Sequence, residues 1–386
     1  MIPYGRQDIN QADIAAVVEV LQSDWLTQGP MVPRFEQAVA KRVGAEFAVA
    51  VNSATSALHL ACLALDLGPG DWLWTSPNTF VASANCGLYC GAQVDFVDID
   101  PNTYNLSVEA LTIKLEQAER SGTLPKVLVP VHFSGQSCDM LAIHALAQRY
   151  GFKIIEDASH AIGGRYKDQP VGNGAYSDIT IFSFHPVKII TTGEGGMALT
   201  NNALLAERMQ RLRSHGITRD PQKIQGLTPG AWYYEQIELG FNYRMTDIQA
   251  ALGLKQLERL ETFISRRQHL ASVYNEGLAN LPLRRPFQHE DTYSAFHLYV
   301  IQTDTLHSPL ERNTLFDYLQ KAGIAVNVHY IPVHTHPYYR KHNAKPLQFL
   351  EAERYYANAI TLPLFFGLAD SEQATIIDTL SKALSE

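Results

Sequence analysis

Apolar positions recur at helical spacing over residues 10–23 and 33–44. Short strand-like apolar runs then follow near 47, 72, 93, 127, 153, 179 and 197, alternating with helical segments up to about residue 215. Strands alternating with helices predict an α/β fold built on a mainly parallel sheet. Residues 221–238, rich in Pro, Gly, Gln and aromatics, break the pattern and read as a loop that reaches toward a partner subunit. A long helix is expected from Thr246, where Thr-Asp-Ile-Gln is a capping pattern. From Ser265 the rhythm changes, with a strand around 297–301 and a helix through 309–321. We therefore expect a large unit over 1–250, including an N-terminal arm, and a small C-terminal α+β unit over 251–386. No repeat or low-complexity segment interrupts either.

Chemistry concentrates where these strands end. Lys188 follows the apolar stretch 179–182, inside the run Ser183-Phe-His-Pro-Val-Lys188 that continues to Gly196. An ammonium at the end of a buried strand is poorly solvated, which lowers its pKa, and the neutral amine attacks an aldehyde. Lys188 thus reads as a Schiff-base lysine. Residues 152–157 form a strand ending in Glu156 and Asp157, with His160 just beyond, where open α/β sheets bind ligands. A carboxylate there suits the nitrogen of a pyridoxal phosphate ring, which withdraws electrons well only when protonated. Asp157 takes that role; the plain alternative is that Glu156 and Asp157 cap a helix and Lys188 lies on the surface.

Two further strand ends carry candidates. Residues 48–64 are a strand entering a helix through Ala54, Thr55 and Ser56. Small residues at a helix N-terminus offer N–H groups and positive dipole to a phosphate; an ordinary Ser/Thr N-cap explains the same pattern. Phe80 begins a helix after the strand at 72, placed to stack on a pyridine ring or to join the core.

These runs resemble those of the DegT/StrS-type nucleotide-sugar aminotransferases, which are pyridoxal-phosphate enzymes of fold type I. The resemblance also includes Leu26-Thr-Gln-Gly-Pro30, Phe35-Glu36, Gly240-Phe-Asn-Tyr-Arg-Met-Thr-Asp247, Val328-His-Tyr330 and Leu362-Pro363, and so covers nearly the whole chain. It implies that Lys188 binds the cofactor covalently, Asp157 holds the ring nitrogen, His160 lies by the ring and Phe80 stacks on its face. Ala54, Thr55, Ser56 and Ser183 would hold the phosphate, and Asn242 would reach the phosphate of the neighbouring subunit in a homodimer. Sugar-nucleotide contacts are implied at Tyr4, at Asp24, Trp25, Leu26 and Thr27, and at Val328, His329, Tyr330 and Ile331. Residue 54 is Ala where many members carry Gly, which is expected to reshape the cup without loss of function. Position 188 is Lys and not the His of relatives that dehydrate sugars.

Within the family, Tyr4-Gly-Arg-Gln7, Phe184-His185 and the runs 212–220 and 243–249 most resemble members that act in pseudaminic acid synthesis. The implied reaction moves an amino group from L-glutamate to C4 of a UDP-linked 4-keto-6-deoxy-N-acetylhexosamine. A different keto-sugar is the serious alternative; a sensor that binds the cofactor without turnover is the other.

Composition agrees with a soluble cytoplasmic enzyme. A 386-residue chain that is 46% hydrophobic can bury the cores of two units. A net charge of −8 without a Lys/Arg cluster argues against a nucleic-acid partner. Neither a signal-peptide segment nor a membrane-length apolar stretch is present. Cys62, Cys86, Cys90 and Cys138 read as reduced packing residues, although Cys86 and Cys90 share a helix face as a metal half-site would. His329, His334 and His336, interspersed with Tyr330 and Pro332 and followed by Pro337, read as a pocket-shaping loop in preference to a metal cluster.

Overall fold

The computed structural model describes residues 1–303, 308–342 and 348–385. The chain opens with α1 (Gln11–Leu21) and α2 (Met31–Val43), then alternates β1 (Phe47–Val51), α3 (Ala54–Ala64), β2 (Trp72–Thr75), α4 (Ala82–Tyr89), β3 (Gln93–Phe96), α5 (Val108–Ser121), β4 (Val127–Val129), α6 (Met140–Tyr150) and β5 (Lys153–Asp157). A small hairpin, β6 (Arg165–Tyr166) and β7 (Gln169–Pro170), precedes β8 (Ile179–Ser183), β9 (Gly196–Thr200) and α7 (Ala203–Arg213). Seven strands form the large sheet in the order β1-β9-β8-β5-β4-β2-β3. Its strands are apolar on both faces because helices cover both. Successive residues of β8 point oppositely, so Phe182 joins Phe35, Val39 and Met197 on one face while Ile181 joins Leu58, Leu60 and Ile155 on the other.

The sheet is parallel except at β9, which pairs antiparallel with both β8 and β1. The connection from β8 to β9 contains no crossover helix, and a strand returning without a crossover must run antiparallel. The C-terminal ends of β1, β5 and β8 therefore meet along one edge, beside the start of β9.

After α7, β10 (Ile217–Thr218) pairs with β11 (Glu235–Gln236) across the expected loop. Thr246 then caps α8 (Asp247–Glu258) in a reciprocal box with Gln249, as the Thr-Asp-Ile-Gln pattern predicts. Asp247 accepts from the N–H groups of Gly29 and Met31 at 2.8 and 2.7 Å, tying α8 to the start of α2. The remaining elements are α9 (Leu260–Gly277), β12 (Leu283–Arg284), β13 (Thr292–Tyr293), β14 (Tyr299–Thr303), α10 (Arg312–Lys321), α11 (Pro337–His342), α12 (Leu350–Asn358), β15 (Ala359–Leu362) and α13 (Asp370–Ser385). Strands β12, β14 and β15 form an antiparallel sheet over a core of Leu270, Tyr274, Tyr299, Leu315, Ile360 and Leu380.

Two features depart from a simple split near residue 250. Helix α9 belongs to both cores, Leu260, Phe263 and Ile264 packing under the large sheet and Leu270 and Tyr274 in the second core. The N-terminal arm, expected with the large unit, is fastened to the C-terminal one. Ile2 exchanges backbone hydrogen bonds with Gly323 and Ala325, and the Leu364 N–H donates to the Tyr4 carbonyl.

Candidate active site

A cavity of about 910 Å³ opens where β1, β5 and β8 end. Of the candidates read from the sequence, Lys188, Asp157, His160, Ser183 and Phe80 line it, as do Ala54, Thr55 and Ser56. Tyr4, Val328, His329 and Tyr330 complete its wall from the arm and the C-terminal unit.

Lys188 is set by the loop between β8 and β9. Phe184 and Gly195 continue the β8–β9 pairing, the Thr192 N–H and Thr191 Oγ1 both donate to the Phe184 carbonyl, and the Lys188 N–H donates to the His185 carbonyl. The turn is thus closed at its base and projects the lysine into the cavity. Burial pushes the Lys188 amine down to about 8, against the opposing pull of Asp157. An amine titrating near 8 is substantially neutral at mildly alkaline pH. In cofactor-free protein, the rate of covalent cofactor capture is therefore expected to rise with pH, be half-maximal near 8 and level off above it. A stopped-flow absorbance series over pH 6–10 checks this; a midpoint near the ordinary lysine value of about 10.4 would contradict it.

Asp157 closes β5 and is almost wholly buried. Ser83, in the first turn of α4, donates to its Oδ2 at 2.6 Å, and the Ser159 N–H donates to Oδ1 at 3.1 Å. Thr79 braces Ser83 at 2.8 Å. Two donors from different elements leave the carboxylate a single orientation.

His160 accepts at Nδ1 from the Ser134 N–H, 3.2 Å away. A backbone N–H only donates, so Nδ1 is unprotonated and Nε2 donates to Tyr330 Oη at 3.0 Å. The Tyr330 hydroxyl proton is then free to point into the cavity. Burial, followed by the charges of Lys188 and His329, holds His160 well below the usual imidazole range. His329 bonds Thr361 Oγ1 at 2.8 Å through Nδ1, and burial, with Lys188 adding to it, pushes it down to about 4. The imidazole ring of His297 lies 4.4 Å from that of His160. The site therefore sets the Lys188 amine and the buried Asp157 carboxylate beside the neutral imidazoles of His160 and His329.

At the start of α3, the cap is Ser53, whose Oγ accepts the Ser56 N–H at 3.1 Å. Ser56 Oγ donates to Asn52 Oδ1 at 2.7 Å and so braces the turn. None of the described residues accepts from the N–H groups of Ala54 and Thr55. Gly196 lies directly beneath, opposite Ser183 in the register, where a Cβ would come 2.5 Å from the Ala54 nitrogen. Phe80 is exposed to the cavity, its ring centroid 6.4 Å from that of Tyr330.

Six candidates lie elsewhere. Asp24, Trp25, Leu26 and Thr27 are exposed on the outer surface, where the Leu26 carbonyl receives the Asp247 N–H and Thr27 bridges Thr246. Ile331 is outside the lining, and the exposed Asn242 pairs with Ser214. His334 bonds Glu353 at 2.9 Å, away from His329. Sequence reading missed Ser83, Ser134, Thr79, His297 and Gly196. Thr79, Ser83 and Gly196 sit in or beside the runs already singled out, and the signal for them was proximity to Phe80 and Lys188; Ser134 and His297 carried no such signal.

The sheet order, the lysine between β8 and β9 and the buried carboxylate ending β5 define a fold type I pyridoxal-phosphate enzyme. Residues 7–381 match the DegT/DnrJ/EryC1/StrS aminotransferase family, and the chain belongs to it. It is 42% identical to the spore coat polysaccharide biosynthesis protein SpsC of Bacillus subtilis, over 98% of this chain and 96% of that one. Among solved structures, the putative sugar aminotransferase Spr1654 of Streptococcus pneumoniae in its PMP form superposes with a TM-score of 0.90 at 33% identity, covering 100% and 99% of the two chains. Helicobacter pylori PseC, an aminotransferase involved in the biosynthesis of pseudoaminic acid, superposes with a TM-score of 0.89 at 29% identity, again over 100% and 99%.

Pyridoxal phosphate is the cofactor of this family, and the site fits it. The free N–H groups of the α3 first turn suit a phosphate, and that turn can rest so low only because residue 196 has no side chain. Gly196→Ala is expected to push the turn outward and weaken cofactor binding about tenfold to a hundredfold. A cofactor titration followed by absorbance, with far-ultraviolet circular dichroism unchanged, checks this.

Proposed function

We propose that this aminotransferase moves an amino group from L-glutamate to C4 of a UDP-linked 4-keto-6-deoxy-N-acetylhexosamine. The product is UDP-4-amino-4,6-dideoxy-N-acetyl-β-L-altrosamine. The observation that carries the reading is the meeting of a desolvated amine, a buried carboxylate and an anion cup in one cavity large enough for cofactor and sugar together. Bound pyridoxal phosphate supplies an aldehyde to accept the amino group and a ring that takes up electron density. Lys188 anchors the cofactor and, once released, moves a proton as general base and then general acid. Asp157 would hold the ring nitrogen and stabilise its proton. The first turn of α3, with Ser183, would receive the phosphate, Phe80 would stack on the ring, and the His160–Tyr330 pair would offer it a hydrogen-bond donor. Tyr4, Val328 and His329 form the wall against which the sugar is placed.

The working unit in this reading is a cytoplasmic homodimer, in which Asn242 and the exposed 24–27 turn belong to the neighbouring subunit's site. Their position on the outer surface, along with exposed Leu227, Trp232 and Leu239, supports that arrangement. Among the described residues no helix is long and apolar enough to cross a membrane. Asn242→Ala is then expected to weaken cofactor retention several-fold, read as a raised cofactor dissociation constant; an unchanged constant in a dimer would remove Asn242 from this role.

A second reading is amination of another keto-sugar nucleotide, in keeping with the 42% identity to SpsC, a protein of spore coat polysaccharide biosynthesis. One experiment decides between them. The cofactor is converted to its amine form with L-glutamate, and a panel of UDP-linked keto-sugar epimers is tested for restoring the lysine-bound absorbance band. Restoration by the 4-keto-6-deoxy-L-sugar alone supports the first reading, and restoration by a different keto-sugar supports the second. Failure of glutamate to bleach the band would remove glutamate as the donor.

A further inference from the structure

The N-terminal arm runs from one unit to the other past the lysine loop, and each stretch of it meets a different part of the site. Ile2 is held in the C-terminal unit by its hydrogen bonds to Gly323 and Ala325, both 2.8 Å. Tyr4 stands in the wall of the main cavity, its ring centroid 5.7 Å from that of His329. Gly5 passes over the lysine loop, where a Cβ on it would lie 4.0 Å from that of Val187. Arg6, Gln7 and Asp8, with Lys188 and Ile189 of that loop and Phe263 of α9, then line a space of only about 10 Å³. Such a space holds at most one water. The arm therefore closes this side of Lys188.

The second anchor of the arm is built on the junction of α8 and α9. Arg259 Nη1 donates to Asp8 Oδ1 at 2.5 Å, and Nη2 donates to the Asp8 carbonyl at 3.0 Å and to Asp13 Oδ2 at 2.6 Å. Gln256 Nε2 donates to that carbonyl and to that carboxylate oxygen, both at 2.9 Å. Asp13 is wholly buried and also accepts from the Asn10 N–H at 2.8 Å. The guanidinium carbon of Arg259 lies 4.7 Å from the centroid of the Phe263 ring. Capping α1 needs only Asn10 and Asp13, which form a reciprocal box. Arg259 and Gln256 add a grip on the Asp8 carbonyl, at the point where the arm leaves Lys188, and charge-assisted bonds of this kind are the strong ones.

We propose that Arg259 is a positioning residue: it clamps the arm as a strap against the back of the lysine loop, where the strap keeps water from Lys188. The same strap carries Tyr4 to the cavity wall, so one clamp sets both. The inference rests on the reading of Lys188 as the lysine that captures the cofactor. Asp157 and His160 face Lys188 from the end of β5, with His297 behind His160; His185 and Glu194 face it from its own loop, and His329 from the C-terminal unit. The arm brings Arg6 and Asp8, and α9 brings Arg267. Burial is the main cause of the lowered Lys188 amine. Lifting the strap removes Arg6 and Asp8, of opposite charge, together and admits water, so the amine should move upward, toward the ordinary lysine range.

The test uses the full chain without cofactor. Trypsin cleavage after the exposed Arg6, followed by mass, is expected to be at least about tenfold faster in Arg259→Met than in the unaltered protein, because proteolysis samples the open arm. In the same variant the pH at which covalent cofactor capture is half-maximal is expected to rise by about a unit, read by the same stopped-flow series. Methionine keeps the stem on Phe263, and Asp13 keeps its bonds from Gln256 and Asn10. Asp8→Ala breaks only the side-chain pair and leaves every partner of Asp13 in place; it is expected to move both readouts in the same direction by less, and it carries the test if Arg259→Met does not fold. An arm no more open to trypsin in these variants would overturn the clamp. An arm that trypsin releases while the midpoint stays where it was would overturn the role of the strap in drying Lys188. A lysine-bound band missing from the unaltered protein at every pH would overturn the reading of Lys188 itself, and this inference with it.

Discussion

Lys188→Ala is expected to abolish turnover while leaving the fold and the rest of the cofactor site in place. General acid–base catalysis alone contributes about 10²–10⁴-fold, and Lys188 adds covalent capture to it, so steady-state transamination should fall by at least about 10³-fold. The purified variant should lack the absorbance band of lysine-bound cofactor, yet still take up cofactor by dialysis because the α3 turn, Asp157 and Phe80 are untouched. Glutamate-dependent release of 2-oxoglutarate over many cycles in this variant would remove Lys188 from its role. The same release in the unaltered enzyme separates an aminotransferase from a protein that binds the cofactor and stops after one equivalent.

Asp157→Asn should leave the carboxylate's place filled and its charge removed. The Ser159 N–H would still meet the amide oxygen and the Ser83 hydroxyl can turn to accept from the new NH2 group, so stability should change little, while the ring nitrogen loses the group that stabilises its proton. Preorganised electrostatic groups of this kind are worth about 10²–10³-fold in rate, and a loss of that size in kcat is expected. Ser83→Ala removes only one of the two bonds that orient Asp157, and the rate should fall about tenfold, the worth of a single hydrogen bond to a charged group. The graded order Asn below Ala in activity, measured as single-turnover bleaching by glutamate, checks both assignments. Equal losses would mean that orientation and not charge is what Asp157 supplies.

Lys188, Asp157 and the α3 turn were legible because each depends on a local rule. A strand that ends brings its last residue to the sheet edge, and a helix that begins leaves N–H groups free, whatever the rest of the chain does. Thr246 and Gln249 were legible for the same reason, their capping box spanning three residues. The direction of β9 was not, because apolar patterning marks a strand without its orientation. Nor were most of the site's supporting contacts: Ser83 and Asp157 are 74 residues apart, and Tyr330 and His160 are 170 apart. The turn at 24–27 and Asn242 look like site residues in sequence and lie on the outer surface of the single chain, since a sequence motif does not say where its residues come to rest after folding.

What this sequence determined by itself is therefore the class of chemistry: an amine, a carboxylate and the start of a helix at strand ends of an α/β chain. Residue type and local burial decide such chemistry, and both are written along a few consecutive positions. Tertiary structure alone decided how those groups are aimed and tuned. The His160 tautomer comes from Ser134 and Tyr330, the orientation of Asp157 from Ser83 and Ser159, and the low seat of the cup from the close approach of the α3 turn to Gly196. Each is set by distance and exclusion of water between segments far apart in the chain, and those quantities exist only after folding.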